Sequence, residues 1–378
     1  MDGPLLPAGA ADWAPVRTGT AGRWTRRRVA VRLRLARYWQ GHGDLDEAGR
    51  HAGYAARLIR ARPVPVPLAV EVALVVAAIG RDLDRPGVSR AALEWAVVML
   101  DAVPAGAARD RQLAGALTDL GGCHRRAARY PLALDALRRA RQLLQGATGT
   151  AQLAATSMMS GIVAKELGEF EAAEHWYGQA AAGIAPYSAD AAVLQHNLAG
   201  LAYAQGRHEV AEQHARRAVA LRRGLPGATE VEVALDLAVL ASAVAGQQRH
   251  DEARALLEEA MAACHRARPP RRYEIAVHLH NLAAIDQASG RTATAERGYR
   301  RALALKEELL GPEHPEVALV ANNLATLLSR LGRGPEAAEL YRRALAIVAR
   351  SYPPEHPTSC AIRANAASAG ASARSRAD

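Results

Sequence analysis

The chain has 378 residues, half of them apolar, a single Phe (Phe170) and a formal net charge of +10. That composition allows a sizeable core, but one made from Ala, Leu and Val in closely approaching helices rather than from aromatic plugs. Three widely separated cysteines, Cys123, Cys264 and Cys360, without a CxxC pair, exclude a disulfide framework or a cysteine zinc site and fit a reducing compartment.

Residues 1–28 carry Pro, Gly, Ala and the cluster Arg23, Arg26, Arg27, Arg28 without helical periodicity, and are expected to form a flexible basic arm. Trp13 and Trp24 could dock that arm on the element that follows. From Val29 the chain reads as helical hairpins. The first breaks at Gly41-His42-Gly43, and RARPVPVP (60–67) ends its second helix, because alternating prolines remove donors and restrict their neighbours. Residues 68–80 and 91–100 form the second hairpin, 110–127 and 131–144 the third, and 151–167 and 169–182 the fourth.

From Ala189 the pattern sharpens. The alanine that opens each second helix falls at Ala211, Ala253, Ala295 and Ala337, a period of 42, preceded by Ala48, Ala91, Ala133 and Ala173 at similar spacing. Such self-similarity reads as a stacked array of eight hairpins. Gly206, Gly290 and Gly332 close first helices, where a left-handed residue is needed. Pro315 and Pro357 follow a His at helix starts, and Glu316 complements the positive helix end. Residues 357–369 repeat the opening of a first helix and should cap the array, leaving 370–378 as a disordered tail.

The eighth repeat shows Leu324, Ala325, Leu328, Gly332, Ala337, Tyr341 and Ala344 in positions that resemble the tetratricopeptide repeat. The NNLA and HNLA openings, the LGPEHPEVA linker and the 42-residue length are similar to the kinesin light chain-like subclass. The resemblance is specific over 189–365 and looser over 29–188. It implies an all-α, right-handed superhelical solenoid of eight hairpins plus a capping helix, spanning 29–365. It further implies a non-catalytic scaffold whose concave groove grips a peptide or partner protein, or a sensor whose superhelix changes pitch on binding a signalling peptide, as in bacterial signalling.

Carried onto this sequence, the groove positions of that family are Asn197, Asn281, Asn323 and Asn365, with Val239 breaking the series in the sixth repeat. Their neighbours are His196, His280 and Asn322, and further inward sites hold Tyr203, Ser242, Gln287, Thr326 and Arg330. An amide donates and accepts at once, as peptide backbone does, so the Asn series can hold an extended ligand. The same series can instead bond to adjacent helices and set repeat stacking. In the first three repeats the groove sites hold Arg34, Arg37, Asp119, Arg125 and Arg126, which favour an acidic segment or a free carboxylate end, or are simply solvated.

The chemistry expected elsewhere is slight. HEVAEQH (208–214) lacks the second His of a zinc-protease motif at 212, and GHGDLDEAG (41–49) lacks a calcium-loop Glu. His314 and His356 read as helix caps, and no phosphate loop or GxSxG elbow occurs. No catalysis, cofactor or metal is expected. Of 48 basic residues only Lys165 and Lys306 are Lys, a skew that fits a GC-rich genome and keeps nucleic-acid binding a lesser reading. Arg pairs on the second helices (Arg138-Arg139, Arg216-Arg217, Arg300-Arg301, Arg342-Arg343) should face outward into solvent. The most apolar stretch (68–80) carries Glu71 and is too short for a bilayer, and the chain opens with no signal peptide, so a cytoplasmic location is expected, with the array's end repeats open to self-association.

Overall fold

The computed structural model describes residues 6–7, 12–13, 16–83, 85–146, 150–268 and 270–374. Among them stand seventeen α-helices and no strand. They pair in chain order as α1 (Arg23–Gly41) with α2 (Leu45–Ala61), α3 (Val66–Asp82) with α4 (Pro86–Asp101), α5 (Ala107–Arg126) with α6 (Tyr130–Leu143), and α7 (Ala151–Glu166) with α8 (Phe170–Ala181). The series continues with α9 (Ala189–Ala204) and α10 (His208–Gly224), α11 (Glu230–Gly246) and α12 (His250–Arg266), α13 (Arg272–Ala288) and α14 (Thr292–Leu310), α15 (Pro315–Arg330) and α16 (Gly334–Ser351). A single helix, α17 (Pro357–Arg374), closes it. This is the all-α solenoid class expected from the period.

The alanine ruler explains why the hairpins close. Ala48, Ala133, Ala173, Ala211, Ala253 and Ala295 have no exposed surface, and Ala91 and Ala337 have almost none. A methyl at the crossing point lets paired helices approach to roughly 8–10 Å. Each turn then needs one left-handed residue, and Gly206, Gly290 and Gly332 supply it with φ near +74°, +78° and +79°. At the corresponding turns Ala128 (φ +54°) and Gln248 (φ +65°) take the same conformation without that freedom.

The N-terminal segment differs from the expected free arm. Leu6 and Trp13 are buried, and Trp13 stacks on Trp95 at 5.3 Å between centroids. Val64 bonds the segment on both sides, accepting from Gly19 N at 2.9 Å and donating to Arg17 O at 3.1 Å. Helix α1 begins at Arg23, ahead of the expected Val29. Two large apolar side chains in the segment gain more from covering the first hairpins than from solvent. Trp24 stays half-exposed, with the Arg28 guanidinium 4.3 Å above its ring.

The chain divides into two compact units, Met1–Met159 and Ser160–Asp378, with the seam inside α7. The 188/189 boundary, where the repeat pattern sharpens, lies within the second unit. In the second unit, first helices of successive hairpins pack on one another (α9 on α11, α11 on α13, α13 on α15, α15 on α17), and among the described residues no such packing joins successive second helices. First helices therefore take the inside of the curve. The cap α17 runs to Arg374, beyond the expected 369, and residues 375–378 lie outside the described residues.

One contact brings the two ends of the second unit together. His356 Nε2 donates to Glu166 O at 2.7 Å, while its Nδ1 accepts from Thr358 N at 3.1 Å and caps α17. Both bonds require the same neutral tautomer. Pro357 packs on Gly168, where an added Cβ would stand 2.7 Å from Pro357 Cδ and where φ is +78°. Only glycine satisfies both conditions.

Candidate functional site

The inner sites of the second unit fall into three groups. The first is an amide chain that crosses repeats. Asn365 Nδ2 donates to Asn322 Oδ1 at 3.1 Å, Asn322 Nδ2 to Asn323 Oδ1 at 3.0 Å, and Asn323 Nδ2 to His280 Nε2 at 2.8 Å. His280 must then be neutral and carry its proton on Nδ1. Burial, with the Lys306 ammonium adding, pushes its proton affinity down to about 3. These four side chains therefore bond to one another across repeats. Thr326 also turns inward to the hairpin, bonding Asn322 O at 2.9 Å and the Tyr341 hydroxyl at 2.9 Å. Ser242 bonds Ala238 O of its own helix.

The second group is buried and charged, and sequence periodicity alone did not single it out. Arg222 on α10 donates to the fully buried Asp236 on α11 at 3.2 Å, and His196 on α9 meets the other oxygen at 2.9 Å. The same two sites one period later hold Cys264 and His278, 3.6 Å apart. Burial raises the Cys264 thiol to about 11 and lowers His278 to about 4, so both are neutral and the pair is not a thiolate–imidazolium dyad. One period on, Lys306 occupies the second-helix site and reaches Glu316 at 2.8 Å, with the Tyr273 hydroxyl donating to the same carboxylate at 2.7 Å. Burial alone would raise Glu316, but Lys306 and these bonds outweigh it and hold the group below the usual carboxylate range. The final junction holds Val348 and Ile362 in one apolar cluster. Asp286, nearly buried, is likewise held by Arg254 and by Arg291 at 2.8 Å. A spacing of 14 from second helix to next first helix, repeated every 42, is the signal that could have found Arg222–Asp236, Cys264–His278 and Val348–Ile362; Lys306–Glu316, ten apart, does not follow it.

The third group is unspent. Asn281 is half-buried and has no hydrogen bond among the described residues. Gln287 Oε1 is buried without a protein partner, and Tyr203 is 43% exposed beside His208. Desolvation raises the Tyr203 hydroxyl. Arg330 is exposed and lies close enough to Tyr299 for its charge to be felt there. Asn197 is buried and donates to Val193 O of its own helix at 3.0 Å.

In the first unit the predicted arginines do not converge. Arg34 is exposed, and Arg37 pairs with Glu71 at 2.9 Å. Arg125 instead lines a cleft of about 160 Å³ with Arg81, Arg126, Asp119 and Cys123, floored by Ala77, Leu93 and Met159. Aligned on the turn residues Ala128, Gly168 and Gly332, Asp119 and Met159 take the register position that Asn323 takes in the eighth repeat.

Of the eight outward arginines, six meet carboxylates, and Arg217 and Arg301 meet none among the described residues. Arg216 meets Glu212 at 2.7 Å and Glu252 at 3.2 Å, and Arg249 meets the same two; Arg300 and Arg333 repeat this with Glu296 and Glu336. Arg139 reaches Asp101 and Arg343 reaches Glu307. His314 caps α15 by accepting from Glu316 N, as expected. Among the described residues no three His, Cys, Asp or Glu stand together as a metal would need, and no helix is long and apolar enough to cross a membrane.

Paired helices, stacked through their first helices, define a helical-repeat fold. The comparisons agree. Residues 190–265 and 274–367 match the tetratricopeptide repeat family. No curated protein matches the sequence. Among solved structures, a Rap conjugation gene regulator of the plasmid pLS20 in complex with the Phr* peptide is similar at 13% identity and a TM-score of 0.62, over 86% of this chain and 96% of that one. A Rap protein complexed with competence and sporulation factor is similar at 15% identity and 0.61, over 75% and 77%. The apo form of the quorum sensor NprR from B. thuringiensis is similar at 14% identity and 0.59, over 85% and 87%. At these identities the likeness is one of fold.

Proposed function

We propose that the protein binds an extended peptide or a peptide-like segment of a partner along the inner stripe of its second unit, without catalysis. The observation that carries this is the unspent polar group. Asn281 and Gln287 hold amide atoms without protein partners on a face where neighbouring amides are fully used. Polar groups left so near a core are satisfied on binding. Tyr203 and Arg330 add a ring and a cation to the same stripe. Two structures of the same fold hold peptides or a peptide factor, which supports the reading.

The clean test is Asn281→Ala. Asn323→Ala would break the stacking chain and confuse folding with binding. Wild type and Asn281→Ala are used to capture partners from the native cell lysate. The captured partner is identified, its binding segment synthesised, and both proteins titrated with it. Loss of about tenfold or more in affinity, with unchanged circular dichroism, supports the reading. Equal affinity of the two proteins for the segment refutes it.

A sensor reading has its own support in the contact between α17 and the turn after α7. Any ligand that alters the curvature of the second unit must strain His356–Glu166 and Pro357–Gly168. Spin labels on Cys360, which is exposed, and on a Glu171→Cys variant would report the change. An unchanged label distance on saturation with the segment leaves a static adaptor.

A further inference from the structure

The chain's surplus of positive charge is gathered in the first hairpin and the segment before it. Residues 16–62 hold twelve arginines against three carboxylates, Asp44, Asp46 and Glu47, a surplus of nine where the whole chain has ten. Seven of those arginines are on α1, which has no Asp or Glu. Its buried face (Thr25, Val29, Leu33, Ala36) packs on α2 and α3. The opposite face is exposed, yet apolar along its middle: Trp24, Val31 and Tyr38 are 53%, 45% and 53% exposed. Their spacing of seven keeps them on one stripe.

Register explains why that stripe is apolar. Aligned on the left-handed turn residues Gly43 and Gly332, Val31 and Tyr38 take the positions of Val320 and Leu327 on α15, which are 0% and 1% exposed. Helix α15 is covered by α14 of the hairpin before it, whereas among the described residues no hairpin precedes α1. Arg27 and Arg34 border the stripe on one side and Arg28 on the other, all exposed. Arg23, Arg27 and Arg34 meet no carboxylate among the described residues. Arg28 and Arg62 lie 4.3 Å and 5.2 Å from the centre of the Trp24 ring. A guanidinium stacked by its face keeps its N–H edge for an anion.

We propose that α1 lies on an anionic lipid bilayer, with Trp24, Val31 and Tyr38 at the boundary between headgroups and acyl chains and Arg23, Arg27, Arg28 and Arg34 on the headgroups. Trp and Tyr favour that depth, and arginines beside an apolar stripe extend to the lipid phosphates. A protein helix packed on the stripe would instead desolvate guanidiniums on both of its sides, which is costly without carboxylates to meet them. A second copy brings none through its last helix, since α17 contains arginines and no Asp or Glu. Base stacking needs open ring faces, and the Trp24 ring is already covered by guanidiniums. The inference goes beyond the peptide-binding reading and does not rest on it.

The test sediments the full chain with vesicles of phosphatidylcholine containing about 30 mol% phosphatidylserine, against vesicles of phosphatidylcholine alone. A short duplex DNA is titrated at the same salt, about 0.15 M. The variants are Arg27→Glu/Arg34→Glu and Val31→Ser, all at exposed positions, with circular dichroism as the check on folding. Binding to the anionic vesicles alone is expected. At about fivefold per unit of charge, the double reversal should weaken it by about fiftyfold or more. Val31→Ser should weaken it about threefold. Brominated acyl chains should quench Trp24, read as the difference between the wild type and Trp24→Tyr because the chain has five Trp.

No sedimentation with the anionic vesicles, or equal sedimentation with neutral ones, overturns the proposal. Binding that survives Val31→Ser without quenching overturns it too, because the stripe then stays outside the bilayer. Tighter binding of the duplex than of the vesicles assigns the surface to nucleic acid instead. Should a variant fold poorly, the contrast between anionic and neutral vesicles on the wild type still decides.

Discussion

Replacing Arg222 tests how the repeats are joined. Its guanidinium is the one cation on Asp236 at that junction apart from His196, and Asp236 has no exposed side-chain surface. Arg222→Leu strands that carboxylate, which for a buried pair costs about 3–5 kcal/mol. The double variant Arg222→Leu/Asp236→Val removes both charges and copies the apolar junction that the array already builds from Val348 and Ile362. It should therefore fall within about 1 kcal/mol of the wild type, since an apolar replacement of a buried pair is often neutral. Urea unfolding followed by circular dichroism gives the cycle. Hydrogen exchange of α10 and α11 should accompany it, because repeat arrays open locally. A single-variant cost below about 1 kcal/mol, or a double variant as unstable as the single, would refute the reasoning.

Three other outcomes follow from the geometry. Gln248→Gly should stabilise by about 1 kcal/mol and Gly332→Ala should destabilise by a similar amount, because both turns hold φ near +65° to +79°; thermal melts of the two variants check the opposite signs. Gly161→Ala would place a methyl 2.5 Å from the buried Tyr177 ring, so overpacking should cost about 1–3 kcal/mol in urea unfolding. His278, held neutral by burial with a proton affinity near 4, lets the unfolded chain bind the extra proton between about pH 6.5 and 4. Its contribution is complete above about pH 6.5 and falls away toward pH 4, by on the order of 3 kcal/mol. His278→Val, which copies Val320 one period later, should flatten that slope; an unchanged slope assigns the acid sensitivity to other groups.

Much of this molecule was legible in one dimension. A period of 42 with an alanine at each helix crossing admits only hairpins stacked on hairpins, because spacing along the chain fixes which faces meet. The left-handed turns at Gly206, Gly290 and Gly332 and the His caps at His314 and His356 are local, set by a residue and its near neighbours. The partners of polar side chains are not local. Asn281 and Asn323 occupy the same site in adjacent repeats, yet Asn323 is bonded to His280 and Asn281 has no hydrogen bond among the described residues, because what faces each amide comes from a neighbouring helix. The same holds for Asp236 and Arg222, for Trp13 folding back on Trp95, and for Arg125 and Arg126 meeting Arg81 over Met159 while Arg34 and Arg37 stay apart. Sequence determined the repeat and its stripe; only tertiary packing decided which side chains on that stripe bond to one another, since hydrogen bonding and burial depend on neighbours that periodicity does not name.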